Sequence, residues 1–144
     1  MSKVFSAHAV SVDGYISGRT PDGGEEFGRG LGDAPMLFDW YMDGDTPSQV
    51  FDGFKLSEPS ARFFDAIAAA RAAAGGKDVA LMGGGVLTSA LEADLVDEVI
   101  LHQVPVLLGG GRRFFHELPE HVHLRLLEAI PAPGVTHLHY EVVR

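Results

Sequence analysis

Residues Asp78 to Phe115 read DVALMGGGVLTSALEADLVDEVILHQVPVLLGGGRRFF, and this stretch decides the fold. Its first half predicts a buried strand from Val79 to Met82, then the glycines Gly83 to Gly85, then a helix that begins near Val86. The first turn of a helix has backbone N–H groups without intrahelical acceptors and carries the positive end of the helix dipole, so it attracts anions. Three glycines in this place can hold a pyrophosphate or simply form a tight turn, and the pattern alone favours neither interpretation.

A second apolar run follows the predicted helix. The run from Val99 to Leu108 is continuous enough to be a strand that is covered on both faces, and the glycines Gly109 to Gly111 end it. Strand, glycines, helix, strand and glycines therefore follow one another within forty residues, which is the order expected of an α/β domain.

This run, GGGVLTSALEADLVDEVILHQVPVLLGGGRRFF, resembles the C-terminal half of the dihydrofolate-reductase-like domains related to the bacterial riboflavin-biosynthesis reductase (RibD). The segment AHAVSVDGYISG near the N-terminus is similar to the opening strand of that family, so the resemblance covers most of the chain. It implies a mixed, mostly parallel sheet flanked by helices, with a C-terminal antiparallel hairpin, in a single domain over residues 1–144. It also implies that NADPH is the cofactor and that its pyrophosphate binds at five residues: Gly83, Gly84, Gly85, Val86 and Leu87.

The composition limits the alternatives. The chain has 144 residues, a formal net charge of −9 and no cysteine. The length fits one domain, the negative charge argues against nucleic acid as a partner, and disulfides and thiolate metal sites are ruled out. No apolar run approaches the ~20 residues of a membrane helix, and the N-terminus has no signal-peptide pattern, so a cytoplasmic location is the default expectation.

The N-terminal segment predicts a central strand from Lys3 to Val12, with a bend at Asp13-Gly14 before the chain extends again to Gly18. The resemblance implies that this bend lies at the edge of the active site, where Asp13 would orient the substrate or a proton-relay water as the catalytic carboxylate. From the residues alone, an ordinary Asp-Gly turn is at least as good an interpretation. Residues 19–34 that follow predict a mobile loop.

Two further groups are candidates for binding the substrate. Asp39-Trp40 matches an Asp-Trp pair that the family often carries, and the only tryptophan of the chain can stack on a flat heterocycle or cover the core. Gly110 and Arg112 belong to the second glycine loop, which the resemblance places beside the active site, and the arginine can meet a phosphate.

The segment that precedes Asp78 departs from the family. A helix is predicted from Ser57 to Gly75, with an apparent junction near Ala68 to Ala72, and the chain then enters the strand at Val79 directly. A usual family member has two or three more strands and a helix here. Either the chain is genuinely abridged or the sequence given omits residues, and the sequence alone does not choose between the two.

The C-terminal part predicts a hairpin of two strands, Leu124 to Ile130 and Thr136 to Val143, joined by residues 131–134. His137 and His139 share one face of the second strand, which is a geometry that can bind zinc. A third ligand with defined spacing is absent and a polar strand face explains the two histidines, so no metal site is predicted. Before the hairpin, Asp94 stands where the family has a glycine that takes the left-handed cap conformation.

Together these features predict an NADPH-dependent oxidoreductase of a small heterocyclic substrate, such as a pteridine or a phosphoribosylaminopyrimidine. The alternative is a catalytically silent binding or assembly domain that kept the fold without the cofactor pocket. In either case a homodimer is compatible with the sequence, because a second copy can cover an exposed sheet edge.

Overall fold

The structure, a computed structural model, describes residues 2–19, 31–42 and 70–144. Seven strands lie in these ranges: β1 (Val4–Ser11), β2 (Tyr15–Ser17), β3 (Val79–Leu81), β4 (Glu98–Val104), β5 (Arg112–Arg113), β6 (His123–Ala132) and β7 (Val135–Val143). The helices are a 3₁₀ turn (Pro35–Phe38), α1 (Asp39–Met42) and α2 (Gly84–Glu92), and residues 70–74 are also helical. None of the described helices is long and apolar enough to cross a membrane.

The main sheet has five strands in the order β3-β1-β4-β7-β6. β1 pairs with β3 and with β4 in parallel, whereas β7 pairs antiparallel with both β4 and β6. β2 and β5 form a separate antiparallel pair. The predicted fold class is therefore confirmed: a mixed sheet with a parallel core and a C-terminal antiparallel hairpin.

Two apolar clusters cover the two faces of the sheet. On one face, α2 inserts Leu87 and Ala90 against Val4 and Val99, and all four side chains are at most 2% exposed. On the other face, Leu37 of the 3₁₀ turn packs against the far ends of β1 and β4. Because β1 lies between two strands and is covered on both faces, it is the central strand that its unalternating apolar sequence predicts.

Some predicted boundaries are wrong. β4 ends at Val104 instead of Leu108, because Pro105 has no N–H for the ladder and the amide of Val106 donates back to the Val104 carbonyl at 2.8 Å. α2 begins at Gly84, two residues before the predicted Val86, so two of the three glycines belong to the helix.

Other boundary predictions agree with the structure. The chain turns at residues 12–14 and then enters β2, although β2 joins β5 instead of continuing the main sheet. Asp94 has φ 57°, which is the left-handed cap conformation that its position requires. The helical residues 70–74 end at Gly75 and Gly76, and the chain then runs directly into β3.

Three predictions lie wholly or largely outside the described residues. These are the loop over residues 19–34, the start of the helix at Ser57 and the first part of the junction near Ala68 to Ala72.

The hairpin is longer than predicted, because β6 and β7 extend to the pair Ala132 and Val135 and leave only Pro133 and Gly134 between them.

Candidate functional site

The candidate site lies at one edge of the sheet, where the three parallel strands end. β1 ends at Ser11, β3 at Leu81 and β4 at Val104, and the loops that follow contain Asp13, Gly83 and the Gly109–Gly111 triplet. In open α/β sheets, ligands bind outside the carboxyl ends of the strands, where the order of strands reverses. The sheet thus brings together the two glycine loops and the Asp-Gly bend that the sequence singled out.

The amides of the first glycine loop are not equally available to a ligand. The amide of Gly83 donates to Nε2 of His8 at 3.0 Å, and the amide of Leu87 donates to the Gly83 carbonyl at 3.0 Å as the first helical hydrogen bond. Helix formation thus uses the Leu87 amide and the Leu87 side chain is fully buried, so the structure does not present this predicted cofactor residue to a ligand. Gly84, Gly85 and Val86 remain as the first-turn amides that lack an intrahelical acceptor.

The three glycines differ in whether the fold requires them. Gly83 has φ 94°, a conformation that side chains disfavour. Gly84 has an ordinary φ, but a Cβ there would lie 2.3 Å from the carbonyl oxygen of Arg113. Gly85 is exposed, and a Cβ there would meet only the His116 ring at an ordinary 3.5 Å. Folding therefore explains the first two glycines, whereas neither backbone conformation nor packing explains the third.

The side chain of His8 accepts a hydrogen bond from this loop, and the sequence analysis did not identify it. Its side chain is 8% exposed on the central strand, and Nδ1 lies 2.8 Å from the Ser6 hydroxyl. Burial, with a smaller contribution from the charge of His102, lowers the pKa of His8 to about 4. The ring is thus neutral at physiological pH, with the proton on Nδ1 so that Nε2 can accept from Gly83. A histidine within the apolar run of residues 3–12 was the available signal.

Asp13 fastens the second glycine loop to the end of β1. Its carboxylate accepts hydrogen bonds from the Ser11 hydroxyl at 2.6 Å, the Leu108 amide at 3.1 Å and the Gly109 amide at 2.7 Å. The Ser11 hydroxyl first, and then the two amides, outweigh desolvation and lower the pKa of Asp13 to about 2. Asp13 is therefore ionised at neutral pH, and both of its oxygens are used in holding the loop.

Arg19 covers the second glycine loop, which the sequence did not indicate. Its guanidinium donates to the Gly109 carbonyl at 2.7 Å and lies where a Cβ of Gly110 would be, 2.5 Å from Nε. Gly110, predicted to contact substrate, thus makes room for this arginine. The guanidinium of Arg113 lies 5.1 Å from the ring centre of Tyr15, and the half-buried Arg112 precedes it on β5.

The segment after β5 joins the three loops into one unit. The Phe114 amide donates to the Gly14 carbonyl at 3.1 Å, beside the Asp13 bend. Two residues on, the His116 amide donates to the Thr88 hydroxyl at 2.7 Å, and that hydroxyl donates to the Gly84 carbonyl at 2.7 Å. The helix that carries the first glycine loop is therefore fixed to the loops of the other two strands.

The aromatic pair predicted for the substrate lies elsewhere. Trp40 packs in the cluster on the sheet face opposite α2, and its indole N–H donates to the Leu37 carbonyl at 2.7 Å. Its ring lies 5.0 Å from that of His102 and 5.3 Å from that of His137. Asp39 is exposed at the start of α1. These contacts favour the core-covering interpretation of Trp40 over a stacking platform.

The histidines of the predicted His-x-His face have partners within the sheet. Nδ1 of His137 lies 2.8 Å from Nδ1 of His102, and Nε2 of His139 lies 2.8 Å from a Glu98 carboxylate oxygen. Burial first, and then the charge of His137, lower the pKa of His102 to about 4. Burial raises the pKa of Glu98, but hydrogen bonds from Lys3 and His139 more than offset this, so the pKa ends below its usual value.

Other basic residues lie at the opposite edge of the sheet. Arg71 is 3.8 Å from the Asp97 carboxylate just before β4, and Lys77 precedes β3. Among the described basic residues, the candidates for binding a phosphate at the carboxyl edge are therefore Arg112, Arg113 and Arg19.

A mixed sheet with a strand–glycine–helix loop and a second glycine loop at its carboxyl edge defines an α/β domain with a candidate ligand site at that edge. Comparison with protein families gives a match to the RibD C-terminal domain over residues 49–137. The chain belongs to this family. A search of curated proteins gives no match.

Solved structures with the same fold come from the same group of proteins. A Shewanella sp. PV-4 protein assigned to riboflavin biosynthesis superposes with a TM-score of 0.63 at 20% identity, over 99% of both chains. The riboflavin biosynthesis reductase Rib7 of Saccharomyces cerevisiae gives 0.56 at 15% identity, over 99% of this chain and 89% of its own. A deaminase/5-amino-6-(5-phosphoribosylamino)uracil reductase of Thermotoga maritima gives 0.59 at 11% identity, over 99% of this chain and 57% of its own.

Proposed function

We propose that this chain is an NADPH-dependent reductase that transfers hydride to a small heterocyclic substrate of the riboflavin or folate type, such as a pteridine or 5-amino-6-(5-phosphoribosylamino)uracil. The observation that carries the proposal is the first turn of α2. Gly85 is a glycine that neither backbone conformation nor packing demands, and it stands between two other first-turn amides, those of Gly84 and Val86. A surface free of side chains at a helix N-terminus fits a pyrophosphate.

The protein groups have distinct roles in this proposal. Bound NADPH supplies the hydride, and the chain supplies binding, orientation and electrostatics. The amides of Gly84, Gly85 and Val86 hold the pyrophosphate, and His8 fixes the loop that presents them. Their position is set by the neutral His8 ring, which accepts the Gly83 hydrogen bond.

Asp13 acts as a positioning residue in this account. Its oxygens already accept three hydrogen bonds, so its contribution is the fixed relation between the end of β1 and the second glycine loop. Arg112, and the Arg19 that lies over Gly110, are among the cations at this edge that can meet a phosphate on the substrate. Substrate and cofactor would meet between the two glycine loops, where geometry determines the rate of hydride transfer.

The direct test is NADPH oxidation, followed by its absorbance, with 5-amino-6-(5-phosphoribosylamino)uracil and with a pteridine as separate substrates. We expect substrate-dependent oxidation with one of them, and a reduced product by mass spectrometry. A denatured sample and NADH in place of NADPH are the controls. Absence of both turnover and saturable NADPH binding would reject the reductase and favour the silent binding or assembly domain.

A further inference from the structure

Residues 31–40, which we call the strap, cross the sheet face opposite α2 without adding a strand to the sheet. One end of the strap is bonded to the chain just after β2. The Gly18 amide donates to the Leu31 carbonyl at 2.9 Å. Asp33 and Arg19 exchange two hydrogen bonds, because the Asp33 amide donates to the Arg19 carbonyl at 3.0 Å and the Arg19 amide donates to the Asp33 carboxylate at 2.7 Å. The strap therefore positions Arg19, whose guanidinium bonds to the second glycine loop at Gly109.

Two histidines hold the other end of the strap. The ring of Trp40 lies 5.0 Å from that of His102 and 5.3 Å from that of His137, and the two imidazole rings lie 5.0 Å from each other. The three rings thus form one cluster. The indole N–H donates to the Leu37 carbonyl, which ties the cluster to the 3₁₀ turn. Trp40 is therefore the anchor of the strap on the sheet.

The strap also contacts the second glycine loop through its apolar side chains. Leu37 belongs to a buried cluster against which Val106 and Leu108 pack. The Leu108 amide in turn donates to the carboxylate of Asp13. A displacement of the strap would therefore reach the second glycine loop both through this cluster and through Arg19.

The chemistry of the histidine pair makes this anchor sensitive to acid. His102 and His137 lie directly opposite each other on β4 and β7, and their Nδ1 atoms are 2.8 Å apart, so one donates a proton to the other. The pair can take up one more proton, because a charged ring still donates to a neutral one. A second proton sets two N–H groups and two positive charges against each other, and the contact is lost.

The surroundings of the pair do not supply a ready counter-charge. The residue opposite His137 on β6 is the apolar Ile130, and Glu98, on the same face of β4, is already bonded to Lys3 and His139. The other charged or titratable residues on the described elements around the pair are His8 on β1, Asp33 and Asp39 on the strap, His123, Arg125 and Glu128 on β6, and Tyr140 and Glu141 on β7.

The direction of the pH dependence follows from burial. Burial first, and then the charge of His137, lower the pKa of His102 to about 4, against 6.5 for a free side chain. A released strap exposes the ring and restores its ordinary proton affinity, so the released state binds more protons between these two values. Lowering the pH through this range therefore favours release by up to about tenfold per pH unit.

We propose that residues 31–40 are an acid-released strap, in which protonation of both rings of the His102–His137 pair frees Trp40 and withdraws Arg19 from the second glycine loop. A change of charge at one anchor thus alters the loop at the other end, as in other histidine switches. Asp13 keeps its hold on the Gly109 amide in this range, because its pKa is about 2. The inference concerns the fold and does not depend on the reaction that the protein catalyses.

The fluorescence of Trp40, the only tryptophan of the chain, tests the release directly. We expect its emission to change reversibly as the pH falls from 6.5 toward about 4, while far-ultraviolet circular dichroism of the same samples still reports a folded sheet. The NMR signals of the Gly109 and Gly110 amides should change with the same midpoint, in the direction that Arg19→Ala produces at neutral pH. Because burial also lowers the pKa of His8 to about 4, the titration is repeated in a His8→Gln background.

His102→Asn removes the proton-binding ring from the anchor and keeps a side-chain amide near the position of Nδ1. We expect this variant to shift the Trp40 transition by at least about one pH unit toward acid, or to abolish it. His123→Asn is the matched control, because it makes the same change at an exposed histidine at the start of β6 and should leave the transition unchanged. If His102→Asn fails to fold at neutral pH, His137→Asn gives the same test from β7.

Two results would overturn the strap as an acid-released element. One is a Trp40 signal that changes only together with the circular dichroism, and the other is a variant of the pair that titrates like the wild type. A Trp40 transition that leaves the Gly109 and Gly110 amides unchanged would overturn the coupling to Arg19.

Discussion

Three adjacent glycines at the start of α2 show how one residue type can serve three purposes. Gly83 takes a positive φ, Gly84 admits the Arg113 carbonyl, and Gly85 does neither. A substitution at Gly85 therefore distinguishes a structural turn from an anion site. A methyl group there would leave the protein fold intact while covering the first-turn amides.

Substitution by alanine at these positions should therefore give opposite results. We expect Gly85→Ala to raise the free energy of unfolding by up to about 1 kcal/mol through helix propensity, and to weaken NADPH binding at least about tenfold. We expect Gly84→Ala to lower the free energy of unfolding by about 1–3 kcal/mol, because its Cβ would lie 2.3 Å from the Arg113 oxygen. Urea unfolding and calorimetric titration with NADPH measure the two quantities.

Ser89→Ala is the control for this pair, since it changes an exposed side chain on the same helix away from its first turn. It should leave NADPH affinity unchanged. If Gly85→Ala binds NADPH as tightly as the wild type, the first turn of α2 is a structural turn and the pyrophosphate site is elsewhere.

At the scale of elements, β1 positions the site through one residue inside the strand and one just after its carboxyl end. His8, inside the strand, accepts the Gly83 hydrogen bond, and Asp13, just after it, holds Leu108 and Gly109. The central strand thus fixes the two glycine loops that follow its two neighbours. A ligand between the loops would find a preorganised site.

The buried His8 makes the stability of this arrangement depend on pH. Its pKa is about 4 in the folded protein, against 6.5 for a free side chain, so the unfolded chain binds more protons between these values. The stabilising contribution is fully present above pH 6.5 and is lost as the pH falls toward 4. Its magnitude is roughly 2–3 kcal/mol for this 8%-exposed ring.

We expect His8→Gln, whose amide oxygen can still accept from Gly83, to lose less stability than the wild type between neutral pH and about pH 4.5. Urea unfolding at the two pH values gives the comparison. His102→Gln is the comparison variant, because it removes a second histidine whose pKa is lowered and which lies on the other face of the sheet. Equal losses in wild type and His8→Gln would mean that folding does not lower the pKa of His8.

Sequence periodicity predicted the elements of this fold better than it predicted their ends. The strand–glycine–helix order and the hairpin follow from local apolar runs and turn residues, and both are present. β4 ends at Val104, before Pro105, and the Val106 carbonyl then accepts from the Val12 amide just after β1. This contact is not visible in an apolar run that continues to Leu108. Boundaries depend on tertiary pairing in this way even when the element itself is correctly predicted.

The sequence predicted where the loops of the candidate site lie, but it did not predict the roles of their side chains. Glycines mark positions, so the two loops were located from the sequence. The partners of Asp13, His8 and Arg19 come from distant parts of the chain, and no local pattern records them. Trp40 shows the opposite case, since its motif matched the family while its ring packs on two histidines.

At the scale of the whole molecule, the two halves of the sheet differ in what they carry. Its parallel half, β3-β1-β4, ends in the loops of the candidate cofactor site, whereas its antiparallel half, β7-β6, ends in a terminal strand of which nine of the ten residues are exposed.

The most direct test of the account is the response of backbone amide NMR signals to NADPH. We predict that the largest saturable shifts occur at Gly84, Gly85 and Val86, whose amides have no intrahelical acceptor. Gly83 and Leu87 should respond less, since their amides already donate to His8 and to the Gly83 carbonyl. Absence of shifts at millimolar NADPH, or shifts that map away from α2, would contradict the assignment of this loop as the cofactor site.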